Sequence, residues 1–241
     1  MSRAPVMEPG AVVVAAALWV EARSLRWGAP AIRVLRTGMG PVHARRAAER
    51  LRIDAARRLA IAGLCGAVDP DLQPGDVLVA SELRREGATP IALETERMER
   101  ALACLGVRSK TGVLHSTEGF VRGARRGELF REGVAAVDME SAWLAEAAEG
   151  RPLAVLRVVV DSPKRELLRP SMLRDGFHAL RVLRAVAPAL QIWATGIMDA
   201  DAFRSRPARE VRWTAPKLDV IPSALQQYHQ VAEARTTSIT C

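Results

Sequence analysis

Carboxylates close three apolar runs of this sequence. Glu21 follows Ala15-Ala16-Ala17-Leu18-Trp19-Val20, Asp138 and Glu140 lie in Val137-Asp138-Met139-Glu140-Ser141, and Asp161 ends Leu156-Arg157-Val158-Val159-Val160-Asp161. A carboxylate just past the C-terminal end of a strand sits where α/β proteins open their ligand crevices. Glu21 there can orient a water or a sugar hydroxyl, or simply favour a helix start through the macrodipole. Two acids at the mainly apolar 137–141 junction are costly unless both are employed. One can cap the following helix, and the other can accept hydrogen bonds from a vicinal diol, as a sugar clamp does. Capping accounts for Asp138 and leaves Glu140 without structural employment. Asp161 can start the turn at Ser162-Pro163. Alternatively, with its pKa raised by burial, it can protonate a leaving group such as N7 of a purine.

Two glycine-bearing segments accompany these acids. Arg36-Thr37-Gly38-Met39-Gly40-Pro41-Val42 reads as a strand, a GxG turn and a helix start. Gly38 and Gly40 permit close backbone approach, and the helix N-terminus offers free N–H groups to an anion or a sugar oxygen. Ala62-Gly63-Leu64-Cys65-Gly66-Ala67 reads as a second turn of the same kind, headed by Gly63. A dinucleotide fingerprint is not met, because His43 stands where GxGxxG needs its last glycine.

The elements that must position these groups alternate between strand and helix, the pattern of an α/β domain. Strands are expected at Val12–Ala17, Ile32–Arg36, Leu59–Ala62, Val77–Ser81, Gly112–Leu114, Val134–Val137 and Leu153–Val160. Helices are expected at Val42–Leu51, Leu93–Leu105, Gly123–Phe130, Met139–Ala148 and Ser171–Ala187. In the fourth of these, Met139, Ala142, Trp143 and Ala147 share a face, as an amphipathic helix requires. Asp69-Pro70-Asp71-Leu72-Gln73-Pro74-Gly75-Asp76 is dense in turn formers and reads as a surface connection. The fold expected is a single α/β domain over residues 1–196, a central mixed β-sheet flanked by helices. Residues 197–241 read as a C-terminal extension with no assigned role, helical around Ala224–Ala234.

Composition narrows the functional classes. With 241 residues, 49% apolar and 26% charged, the chain is long enough for one substantial core and is not of disordered type. No apolar run reaches the roughly 18 residues a membrane span needs. The first residues lack the basic region and cleavage site of a secretory signal, so a cytoplasmic protein is expected. Cys65, Cys104 and Cys241 are scattered and form no CxxC pair, which argues against a disulfide framework or a zinc site, and no metal is expected. The net charge of +8 raises nucleic-acid binding. Its arginines are spread along the chain, however, and the cluster Arg122, Arg125, Arg126 and Arg131 alternates with Glu128 and Glu132. That cluster reads as a solvated helix face. Without an aromatic stacking platform, no nucleic-acid partner is expected.

In sequence order the set resembles the nucleoside phosphorylase and nucleosidase superfamily, which includes purine nucleoside phosphorylases and methylthioadenosine/adenosylhomocysteine nucleosidases. The segments that carry it are the strand to Glu21, Thr37-Gly38-Met39-Gly40, Gly63-Leu64-Cys65-Gly66, Gly75-Asp76-Val77-Leu78-Val79, Val137-Asp138-Met139-Glu140 and Arg157-Val158-Val159-Val160-Asp161. Within the superfamily it is most similar to the hopanoid-associated phosphorylases. The resemblance implies that Glu21 activates the nucleophile, that Met139 and Glu140 hold the ribose, and that Asp161 protonates the base. It implies that Phe120 stacks on the base and Val121 lends backbone contacts to its edge. The implied reaction is cleavage of the N-glycosidic bond of a purine nucleoside, adenine the expected base, by phosphorolysis or hydrolysis. An adenosyl-hopanoid is one candidate substrate; a methylthioadenosine-type nucleosidase and a non-catalytic nucleoside-binding protein are the alternatives. A lipid-bearing nucleoside would need an open apolar mouth, for which Trp19 and Trp27 are candidates. No cofactor is implied, phosphate is a candidate co-substrate, and a homodimer is expected. Where the phosphorylases place an Arg and a Ser to hold phosphate, this chain has Ile61 and Leu64, which favours water; the hopanoid-type likeness favours phosphate.

Overall fold

The computed structural model describes residues 11–163 and 172–196. The extension over 197–241, with its expected helix at Ala224–Ala234 and Cys241, lies outside the described residues.

The chain opens with β1 (Val13–Ala16), α1 (Trp19–Gly28), β2 (Arg33–Arg36) and α2 (Pro41–Arg52). β3 (Leu59–Ala67), β4 (Val77–Arg84) and the short β5 (Ile91–Ala92) follow, then α3 (Glu96–Cys104) and β6 (Lys110–Ser116). α4 (Ala124–Arg131), β7 (Val134–Asp138), α5 (Ser141–Ala145), β8 (Leu153–Asp161) and α6 (Met172–Thr195) complete the described part.

All eight strands join one mixed sheet in the order β2-β1-β3-β7-β6-β4-β5, and β8 pairs with both β3 and β4. β3, β7, β6, β4 and β8 therefore form a closed ring of hydrogen-bonded strands, from which β1 and β2 extend as a wing. The β1, β2, β3 and β8 strands are mutually parallel, so their C-terminal ends share one edge. β7 runs antiparallel to β3, which brings Val137 opposite Gly66 and delivers Asp138 to that same edge. A mixed sheet with flanking helices is what the apolar runs imply. Its closure is not, because pairing partners leave no mark on a single strand's pattern.

Alternation along β8 shows how the helices cover the sheet. Leu156 and Val158 pack with Leu25 of α1, Leu102 of α3 and Leu183 and Leu190 of α6. Val155 and Val159 point the other way, toward Leu51 of α2 and Trp143 of α5. Successive strand residues face opposite sides, so Arg157 points with Val155 and Val159 into an apolar layer. In α2 the buried Ala44, Ala47, Ala48 and Leu51 keep the helical spacing of a core-facing stripe.

Several boundaries differ from the sequence reading, each for a pairing reason. β3 runs on through Ala67, because Gly63, Leu64 and Cys65 keep pairing with Arg157, Val158 and Val159 of β8. Gly63 is thus a strand residue and not the head of a turn. The helix expected from Leu93 begins only at Glu96, because the chain leaves β5 (Ile91–Ala92, paired with β4) still extended and the Leu93 N–H donates to the Ser81 carbonyl at 2.8 Å. α1 is missing from the expected helices, although one reading of Glu21 places it at a helix start: β1 stops at Ala16, and Glu21 sits in the first turn of α1. α5 is shorter than expected, passing into a 3-10 turn at Glu146–Ala148. Every residue of Ser141–Ala145 is buried, so it is a core helix and not an amphipathic one.

The α1–α6 packing depends on Gly28. A Cβ there would lie 2.0 Å from the Arg184 carbonyl oxygen and 2.8 Å from the Ala187 Cβ. Gly28→Ala is expected to destabilise the fold by about 2 kcal/mol through overpacking. Urea denaturation would read this as a lowered midpoint at unchanged slope; an unchanged midpoint would contradict this packing.

Candidate active site

The site is organised around Arg157, whose side chain is only 1% exposed. Its Nη2 donates to the Asp138 carboxylate and to Ser141 Oγ at 2.8 Å, and lies 4.0 Å from Glu140 Oε2. Asp138 also accepts from Ser116 Oγ at 2.5 Å and from the Ser141 N–H at 3.1 Å. Through the Ser141 N–H, the first of α5, Asp138 tethers the start of that helix while it neutralises Arg157.

Glu140 stands at the N-cap position of α5, and its side chain is used elsewhere. The Gly40 N–H donates to its Oε1 at 2.8 Å, across a hundred residues of sequence. Gly40 has φ of +87° and precedes Pro41 at the start of α2, so its N–H turns inward where a substituted residue would be strained. A Cβ at Gly40 would lie 3.8 Å from the Met139 methyl. The GxG turn of Gly38 and Gly40 and the Met139-Glu140 pair are therefore one structural unit.

Glu21 arrives from α1. Its Oε2 accepts the Leu18 N–H at 2.7 Å, and its Oε1 accepts the Leu64 N–H at 2.8 Å. A Cβ at Gly63 would fall 2.6 Å from Glu21 Oε1 and 2.7 Å from Arg157 Nη1. Gly63 lets the β3 backbone pass between the two charged groups.

Burial dominates the electrostatics. It pushes the Glu21 carboxyl above its usual range, with Arg157 and the Leu18 and Leu64 N–H groups opposing. Burial and the nearby Asp138 push Glu140 up to about 8, against Arg157 and the Gly40 N–H. Both carboxyls carry a stronger affinity for protons than an exposed glutamate, the property a buried acid–base site uses. Cys65, in the same layer, is simply a core thiol: burial raises its pKa far above the usual range.

Asp161 ends β8 and is held separately. Arg126 donates through Nη2 to Asp161, through Nε to the Val121 carbonyl at 3.0 Å, and through Nη1 to the Ala67 carbonyl at 2.9 Å. This corrects the reading of Arg122, Arg125, Arg126 and Arg131 as one solvated face: Arg126 is 4% exposed and turns inward with Leu129. Helical spacing does not single it out, because Arg125 lies i, i+4 from Leu129 and is exposed. Val121 packs with Leu129 and Val134. Phe120 is half-buried, with the Arg122 guanidinium 5.9 Å from its ring centroid.

Glu21, Gly40, Gly63 and Glu140 thus meet around Arg157, and Asp161 and Val121 meet through Arg126. Both arginines escape motif reading. Arg157 has one available signal, a lone charge inside an otherwise apolar strand. Trp19 and Trp27 line a groove of about 450 Å³ with Arg23, Arg26 and Arg36. Helical spacing puts that groove on the side of α1 away from Glu21. Among the described residues, no group of three His, Cys, Asp or Glu side chains could hold a metal ion. Nor is any helix among them long and apolar enough to cross a membrane.

The sequence pattern of the phosphorylase superfamily matches residues 22–175. The chain belongs to that superfamily. No curated protein sequence matches it. Among solved structures, it resembles the 5′-methylthioadenosine/S-adenosylhomocysteine nucleosidase of Helicobacter pylori at 20% identity and a TM-score of 0.62, covering 76% of this chain and 96% of that one. The futalosine hydrolase of the same organism gives 19% identity and a TM-score of 0.62, covering 76% and 96%. The Campylobacter jejuni nucleosidase gives 16% and 0.64, covering 75% and 98%. These likenesses place the superfamily member in the nucleoside phosphorylase-type fold.

The raised Glu140 pKa makes a stability prediction. Folded protein holds a proton on Glu140 up to about pH 8, whereas the unfolded carboxyl releases it near 4.5. Between those values the folded state binds more protons, so this group's contribution to stability falls as pH rises through the window and is constant above it. Glu140→Gln removes the dependence. The Tm difference, variant minus wild type, is expected to increase from pH 5 to pH 8; a difference flat with pH would contradict the assignment.

Proposed function

We propose that this superfamily member hydrolyses the N-glycosidic bond of a purine nucleoside and releases adenine. The observation that carries this reading is the delivery of Glu21, Glu140 and Asp161, from three separate elements, to one edge of the parallel strands. Each is buried and held by a backbone N–H or a guanidinium.

The roles follow from chemistry and position. Glu140, anchored by Gly40, accepts hydrogen bonds from the ribose diol, and Met139 packs on the sugar. Asp161 gives its proton to N7, so the C1′–N9 electron pair leaves with a neutral base. C1′ passes through an oxocarbenium-like state, as in other glycosidic cleavages. Glu21 takes a proton from the water whose oxygen bonds to C1′, a task its raised proton affinity suits. Phe120 and Val121 bound the base.

Water is favoured over phosphate as nucleophile. Where the superfamily resemblance calls for a phosphate-holding Arg and Ser, Ile61 is buried in β3 and Leu64 offers its N–H to Glu21. The solved relatives support adenine as the base: a mutant of the Helicobacter pylori nucleosidase holds 5′-methylthioadenosine in its active site, and the Colwellia psychrerythraea enzyme was solved with adenine. An adenosyl-hopanoid is the candidate for the 5′ substituent that the sequence resemblance suggests, and a homodimer is the expected assembly.

Base release from adenosine, 5′-methylthioadenosine, a lipid-bearing adenine nucleoside, inosine and uridine, with and without phosphate, tests the proposal. The expected result is adenine release independent of phosphate, falling at least about a hundredfold in both Asp161→Asn and Glu140→Gln. Release only with phosphate would replace water by phosphate as nucleophile. No release from any nucleoside would overturn the enzymatic reading.

A further inference from the structure

We propose that Arg126 is a positioning residue for base protonation, binding Asp161 and the backbone beside the base into one rigid unit. The inference rests on the nucleosidase reading above and concerns a side chain to which neither the superfamily match nor that reading gives a part.

The structural cost of Arg126 points to a purpose beyond stability. It lies in the first turn of α4, whose N-terminal dipole disfavours a cation. The guanidinium is nearly dry, at 5% side-chain exposure, against 4% for Asp161. Taking such a pair out of water costs several kcal/mol, which the pairing commonly only offsets, so an apolar pair of similar volume would serve the core as well. What an apolar pair would not do is fix direction.

Arg126 fixes it from three sides. Its planar fork reaches Val121 O in the base segment, Ala67 O at the end of β3 and the Asp161 carboxylate at the end of β8. Such a planar fork holds all three acceptors in one fixed relation. The β3–β8 register shifts between Cys65 and Gly66, so Gly66 pairs with Asp161 at the bulge. A Cβ at Gly66 would stand 2.7 Å from Asp161 Oδ1 and 3.3 Å from Arg126 Nη2. Strand register and the absence of a side chain both make room for this pair. Arg157 serves the sugar end in the same manner, through Asp138. The two buried arginines divide the site into a sugar half and a base half.

A proton-transfer step is sensitive to such aim, since small misplacements of a catalytic group cost large factors in rate. A leaving group that needs no proton should be indifferent to it. The test compares adenosine, or whichever adenine nucleoside the panel identifies, with 4-nitrophenyl riboside, which leaves as a stable phenolate. Arg126→Gln is expected to lower kcat on the nucleoside by about tenfold to a hundredfold while leaving 4-nitrophenyl riboside nearly unchanged. Arg126→Lys, which keeps the charge but not the fork, should lie between. Because both residues act in one step, Arg126→Gln should cost nothing further in an Asp161→Asn background. Gly66→Ala, which crowds the pair without removing a charge, should show the same substrate-selective loss and serves if Arg126→Gln fails to fold. A parallel loss on both substrates, or additive losses in the double variant, would overturn the inference and leave the nucleosidase reading standing. Failure of the wild type on every riboside would instead remove the nucleosidase reading, and this inference with it.

Discussion

Arg157 places a full positive charge in a layer of Val155, Val159 and Trp143, where the sheet leaves it almost no water. An isolated charge there would be prohibitively costly, so the chain must supply anions at the same depth. Asp138 meets that need directly from the end of β7, where Val137 pairs with Gly66 of β3. From there it accepts the Ser141 N–H at the start of α5 and the Ser116 hydroxyl from β6. Those bonds fix the approach to α5, whose N-cap residue is Glu140. Glu21 approaches the same cation from α1 across Gly63. One buried guanidinium thus ties the end of β7 to the start of α5 and to a glycine in β3.

The same logic separates the site into two electrostatic regions. Around Arg157 one cation faces Asp138, Glu140 and Glu21, an excess of carboxylates over positive charge. Burial pushes both Glu140 and Glu21 upward, and for Glu140 the neighbouring carboxylates add to it. Asp161 has Arg126 in direct contact instead. Both regions abut β3, whose Gly63 and Gly66 each lie against a carboxylate and a guanidinium. A strand whose sheet pairing is nearly continuous can thread two ion clusters only by giving up side chains at those positions. The bulge between Cys65 and Gly66 brings Asp161 opposite Gly66 at the second of them.

Much of this was legible in the residues themselves. Glu140 stands out in the sequence because Asp138 can account for a helix cap; in the structure Asp138 accepts the Ser141 N–H, whereas the N-cap position itself is Glu140, whose side chain accepts the Gly40 N–H. The apolar runs located the strands, since a strand buried on both faces must be apolar throughout. Gly63 misled, because a glycine in an apolar run fits a turn as well as a strand passing close to charge. Only the pairing of β3 with β8 decides between them. Arg126 misled for a related reason: amid Arg122, Arg125, Glu128 and Arg131 its charge looked like part of a solvated face. Which member of such a cluster turns inward depends on a carboxylate 35 residues away. Ring closure of the sheet is non-local in the same sense.

The coupling of Glu140 to its surroundings also bears on how such a site would recognise a sugar. Its carboxyl is partnered by the Gly40 N–H, with Arg157 Nη2 at 4.0 Å from Oε2, and burial with Asp138 favours the protonated form. A diol placed against it would bring two hydroxyl donors, which favour the ionised form. Recognition of the sugar and ionisation of Glu140 are then the same event. A second negative charge beside Asp138 in turn strengthens the field that holds Arg157 in place. Positive charge developing on a ribosyl ring would meet that field already assembled, since Asp138 and Arg157 are fixed by the fold before any ligand arrives. Preorganisation here comes from the structural ion pair of Asp138 and Arg157, and the proposed role of Glu140 draws on it.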